Sequence, residues 1–115
     1  MELKDTIELM QSGDYRERFK AEYLQTKIRH EKLKAFNTRI EASYRTGGGS
    51  PIIDSCPKPI GHVTVEMPKH DCPEDLLREQ QRVMGEYLHL LEVRAVIEGI
   101  DLVHIHEVGG EKKGA

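Results

Sequence analysis

The stretch "CPEDLLREQQRVMGEYLHLLEVRAVIEG", residues 72–99, decides the fold. Pro73 suits the first turn of a helix, where the amide it lacks would have no partner. Glu74 and Asp75 favour the positive end of a helix dipole, and Gly99 is a natural stop. Between them Leu76, Gln80, Val83, Tyr87, Leu90, Arg94 and Ile97 recur at alternating spacings of four and three residues. Leu77, Met84, Leu88, Leu91 and Ala95 widen that stripe. Such spacing is the seam of left-handed helix packing, so the segment requires a second helix to lie against.

The partner lies upstream. "DYRE" opens it, with Asp14 as N-cap and Glu17 three residues later in a capping-box pattern. No Gly or Pro follows until Thr46, a run of about 30 residues and about 45 Å of helix. Phe19, Tyr23, Thr26, His30, Leu33, Asn37 and Ile40 repeat the same spacing there, widened by Ala21, Leu24, Ile28 and Ala35. Folded back on one another, the two helices run antiparallel, with Tyr23 near Arg94, His30 near Tyr87 and Asn37 near Gln80. Residues 2–12 add a short amphipathic helix through Leu3, Ile7 and Met10, and Gly13 suits its stop. The expected fold is mainly α: a long antiparallel helical hairpin with a short N-terminal helix, in a single domain over residues 1–108.

The connector, residues 46–71, is different in kind. Three glycines, Ser50 and Pro51 end the first helix. "GHVTVEM", residues 61–67, alternates apolar and polar side chains, which is a strand signal. "IDLVHIHEV", residues 100–108, is β-branched and alternates roughly. The two predict a small two-stranded β ribbon. The tail, residues 109–115, is expected to be disordered.

Composition narrows the classes. At 115 residues, 37% hydrophobic and 32% charged, the chain suits one soluble domain with a modest core. No run approaches the roughly 20 apolar residues of a membrane span, and the N-terminus lacks the basic lead-in of a secretory signal. A cytoplasmic location is expected, with Cys56 and Cys72 as thiols. The net charge of -3 argues against general DNA or RNA binding. Residues 14–45 hold nine Lys/Arg against five Asp/Glu, and residues 71–98 hold three Arg against seven Asp/Glu. Helices of opposite sign attract side by side. Two helices offer little core, so homo-oligomerisation is expected to cover the remainder of both stripes.

Thr26, His30, Asn37, Gln80 and Arg94 interrupt the apolar seams, and a buried charge needs a partner. Two readings are open. Arg94 reaches Glu22, Glu98 or a neighbouring subunit while Asn37 meets Gln80; or Arg94, Tyr23, Lys27, His30 and Tyr87 line a polar cavity. Guanidinium suits phosphate, and tyrosine suits a base or ribose. Recognisable catalytic motifs are absent: there is no P-loop, GxGxxG, GxSxG or HExxH. Cys56, His62, His70 and Cys72, spaced C-x5-H-x7-H-x-C, match no standard zinc module. They read as a loop with two ordinary thiols, and His104 and His106 as a polar strand face. No cofactor or metal is expected.

"DYRERFKAEYLQTKIRHEKLKAF" and "CPEDLLREQQRVMGEYLHLLEVRAVIEGIDL" resemble two blocks of a family of small tailed-phage proteins related to a crAss-like phage gene product. The resemblance covers residues 5–42 and 72–102, and the connector departs from it by being longer and richer in glycine. By fold-level analogy the pattern is similar to that of phage anti-defence sponges, oligomers that capture nucleotide immune signals without cleaving them. The resemblance implies a non-enzymatic protein acting in the host cytoplasm on a small nucleotide signal, cyclic or derived from ADP-ribose. Tyr23, Lys27, His30, Tyr87 and Arg94 would hold the ligand, with His62 and Lys69 on a lid. The alternative expectation is a helical interaction module that binds a host or phage protein.

Overall fold

The computed structural model describes residues 1–48 and 63–102. A 3-10 turn, Leu3–Thr6, leads into α1, Ile7–Met10. Two long helices follow, α2 over Tyr15–Thr46 and α3 over Glu74–Glu98. No helix among the described residues is long and apolar enough to cross a membrane.

The helix ends are set locally. Asp14 accepts the Arg16 amide at 3.0 Å, as an N-cap should. The Asp14 amide donates to Ser12 Oγ at 3.0 Å, so Ser12 takes the part expected of Glu17. At the far end Gly47, with φ 85°, lets the Gly48 amide reach Ser43 O at 2.8 Å and the Gly47 amide reach Tyr44 O at 3.3 Å. Gly99, with φ 72°, does the same for α3, where the Ile100 amide reaches Ala95 O at 2.8 Å. Both are Schellman caps, and both need a residue tolerant of positive φ. Pro73 sits one residue earlier than expected, offering its carbonyl to Leu76 and Leu77 from outside the helix.

The described chain divides into two compact units, Met1–His30 with Val83–Ala115, and Glu31–Arg82. In the first unit, Phe19 and Tyr23 on α2 pack with Leu88, Leu91 and Ala95 on α3, and Ile100 closes the end. Leu24 and Leu102 flank this core. On the N-terminal segment the structure buries Thr6 completely and leaves Ile7 and Met10 exposed. The expected Leu3–Ile7–Met10 face fails because the 3-10 turn, at about three residues per turn, shifts the phase. Gln25 on α2 donates to Thr6 Oγ1 at 2.8 Å and ties the segment down.

The second unit is built with polar groups. Asn37 Nδ2 donates to Leu77 O at 3.2 Å and to Gln81 Oε1 at 2.9 Å. Residues 63–70 return beside α2 without regular secondary structure. The Val65 amide donates to Thr46 Oγ1 at 2.9 Å, Ser43 Oγ lies 3.6 Å from Met67 Sδ, and the His70 ring meets Phe36 edge-on at 5.9 Å. Within each unit the α2 and α3 segments run antiparallel.

Two expectations need correction. The β ribbon is absent among the described residues: 63–67 form no strand, and 103–108 lie outside the description. The alternation holds over residues 64–67, where Val65 and Met67 are half-buried and Thr64 and Glu66 are exposed, but not at Val63, which is 72% exposed. An extended chain against a helix produces the same period as one against a strand. The second correction concerns α3. Its expected seam is exposed: Leu76 by 54%, Leu90 by 60% and Ile97 by 76%. Leu77, Gln81, Met84, Leu88, Leu91, Ala95 and Glu98, one residue later at the same spacing, are buried or half-buried, as are Glu74 and Gly85. On α2 the expected stripe is the buried one, since Phe19, Tyr23 and Ile40 are buried and Thr26, His30, Leu33 and Asn37 are half-buried.

Candidate functional site

Each of the chain's four tyrosines donates to a glutamate on the facing helix. In the first unit Tyr15 reaches Glu98 at 2.9 Å, Tyr23 reaches Glu92 at 2.7 Å, and Tyr87 reaches Glu22. In the second, Tyr44 reaches Glu74 at 2.6 Å. These bonds lace the helices together with groups that look, in sequence, like a ligand's stacking surface. The carboxylates raise the pKa of Tyr15 and Tyr44 above the usual 10.0, Glu98 and Glu74 acting mainly by hydrogen bonding and burial adding to it.

The structure places the expected ligand residues as follows. Tyr23 is 8% exposed, with its ring in the apolar core. His30 is half-buried beside Gly85, while Lys27 and Tyr87 are exposed. Arg94 is exposed, its side chain 52% accessible. Its Nη2 donates to Tyr15 Oη at 2.7 Å and to Glu98 Oε2 at 3.2 Å, and its guanidinium lies 4.9 Å from the Phe19 ring centre. The anion beside Arg94 is therefore Glu98, held by a charge-assisted bond and supported by a cation–π contact. Lys69 is exposed and belongs to the second unit. His62 lies outside the described residues, as do Cys56, His104 and His106. Cys72 is an exposed thiol.

A cleft of about 400 Å³ opens in the second unit, within the range of small-ligand sites. Asn37 and Ile40 line it from α2, Tyr44 stands at one end, and Arg78 and Gln81 line it from α3. Arg78 is exposed, and no ion pair to it is present among the described residues, whereas Glu41 on the same rim is held by Arg45 at 2.8 Å. Asn37 Oδ1 is shut away from solvent without a hydrogen-bond partner. Buried acceptors of that kind are uncommon and call for a donor. The cleft thus combines an exposed cation with an aromatic side chain, while Asn37 Oδ1 is closed to solvent.

Sequence reasoning placed Asn37 at the seam but overlooked Arg78 and Tyr44. The signal was available: Arg78 and Gln81 lie three apart on one helical face, and an antiparallel register carries that face to Asn37 and Tyr44. No curated protein and no solved structure matches the chain. A family model described as Sequestin matches residues 63–97, which include Arg78 and Gln81, and over this segment the chain is similar to that family.

Proposed function

We propose that this protein binds a small nucleotide signal in the cleft of the second unit and sequesters it uncleaved, acting as a homo-oligomer in the cytoplasm of a phage-infected host. The observation that carries the reading is Arg78, exposed and without an ion-pair partner among the described residues, in a cleft that Tyr44 also lines. A nucleotide suits both side chains. Its phosphate accepts from the guanidinium in a bidentate geometry. Its base offers a ring that stacks on Tyr44. The name of the matched family speaks of sequestration, which agrees with a binder. The resemblance of residues 5–42 and 72–102 to small tailed-phage proteins supports the phage setting.

Titration calorimetry with cyclic dinucleotides and ADP-ribose derivatives tests the reading. Heat denaturation then releases the ligand for chromatography. The expected result is tight binding and recovery of intact ligand. Arg78→Ala should weaken binding at least about tenfold, while Arg94→Ala should leave it within about twofold. Absence of heat with every nucleotide, or recovery of a cleaved product, would overturn the proposal.

A further inference from the structure

The outer side of α3 in the first unit is apolar and uncovered among the described residues. Val83, Leu90, Val93 and Ile97 are 46, 60, 41 and 76% exposed. Val83, Leu90 and Ile97 lie seven residues apart, the repeat that lets one helix supercoil on another. This stripe is a different face from the buried one, displaced by one residue or about 100° around the helix.

The pattern is symmetric about Leu90. Val83 and Ile97 stand seven residues to either side, Glu86 and Arg94 four, and Tyr87 and Val93 three. Such a helix is complementary to itself when a second copy crosses it antiparallel at Leu90. Val83 then meets the partner's Ile97, Tyr87 meets the partner's Val93, and Glu86 meets the partner's Arg94. Each contact occurs twice, as a two-fold axis demands. A parallel pairing would instead set Glu86 beside Glu86 and Arg94 beside Arg94, which charge repulsion disfavours. Arg94 can serve both roles, because its bonds to Glu98 and Tyr15 use Nε and Nη2, leaving Nη1 out of them.

We propose that this face of α3 is a two-fold interface with a second copy of the chain, antiparallel, with Leu90 on the axis. The inference rests on the self-association included in the proposed function and specifies its surface and symmetry. The cleft lies in the other unit, so ligand binding and dimerisation can be tested separately.

Sedimentation of the full chain is the first test. The wild type is expected to dimerise, and Leu90→Glu, which puts two carboxylates on the axis, should raise the dissociation constant at least about 100-fold. The circular-dichroism melt should barely change, because Leu90 is exposed in the single chain. Glu86→Lys should weaken the dimer about fivefold. Disulfide trapping is the second test, with Cys56 and Cys72 replaced by serine. Leu90→Cys should oxidise to a covalent dimer, since a residue on a two-fold axis meets its own copy, while His89→Cys should not. A wild type that stays monomeric would overturn both the self-association and this interface. An oligomer indifferent to Leu90→Glu, or equal trapping at positions 89 and 90, would overturn the interface alone.

Discussion

Met1–His30 with Val83–Ala115, and Glu31–Arg82, draw on the same two helices and differ in how much polar chemistry they bury. In the first unit Phe19, Leu88, Leu91 and Ala95 meet in an apolar core. In the second, Ser43 is fully buried with its hydroxyl on Ile40 O, Asn37 bridges to Leu77 and Gln81, and His70 Nε2 lies 3.6 Å from Glu74 Oε2, beyond hydrogen-bond distance. Apolar burial adds stability without choosing a ligand. Polar groups left short of partners cost stability and make a surface selective. The contrast agrees with the proposed division, cohesion in the first unit and recognition in the second.

The largest test of that division is Leu91→Ala. Leu91 is 2% exposed, and its truncation should cost about 3 kcal/mol in urea denaturation. The matching truncation in the second unit, Leu77→Ala, should cost about 1.5 kcal/mol, because that side chain is only half-buried. Equal losses would erase the distinction between the units. Asn37→Ala should follow at about 1 kcal/mol, for the two bonds it removes, and should also weaken ligand binding. Arg78→Ala should leave the urea midpoint almost unmoved while removing affinity; a clear loss of stability would make Arg78 a structural residue.

The smallest effect is in pH. The Glu74 hydrogen bond, assisted by burial, raises the Tyr44 pKa in the folded state. The resulting stabilisation is fully present below the unfolded tyrosine pKa and is lost as pH rises through the higher folded value. Tyrosinate absorbance should show Glu74→Gln bringing the Tyr44 transition down toward 10.0. The parallel Tyr15–Glu98 pair should be untouched by that change, and a shift in both would mean the two units do not titrate independently.

Much of the α2 face was legible. Its apolar residues lie in one stripe, so period alone points Phe19, Tyr23 and Ile40 inward. The antiparallel register was legible too, to within a turn: Asn37 meets Gln81 where Gln80 was expected, and Tyr23 bonds Glu92 where Arg94 was expected. On α3 the same reasoning centred the seam on Val83–Leu90–Ile97 and gave Leu77, Met84, Leu88, Leu91 and Ala95, which are buried or half-buried, only as its widening, because the two stripes share a spacing and differ by one residue. Tyr23 and Tyr87 suggest a ligand surface in the sequence because residue type does not reveal which carboxylate lies across the seam.

The sequence by itself determined that there are two long helices, where they begin and end, and that they lie antiparallel. Those are consequences of local backbone preference, of capping groups within a few residues, and of a period repeated along one strip of side chains. Which apolar strip of α3 turns inward, which acid neutralises Arg94, and that Arg78 meets Tyr44 and Asn37 around a cleft were decided only by tertiary structure. Each depends on the rotation of one helix about its axis against another, and a step of about 100° per residue changes every neighbour while leaving the pattern along the chain unaltered.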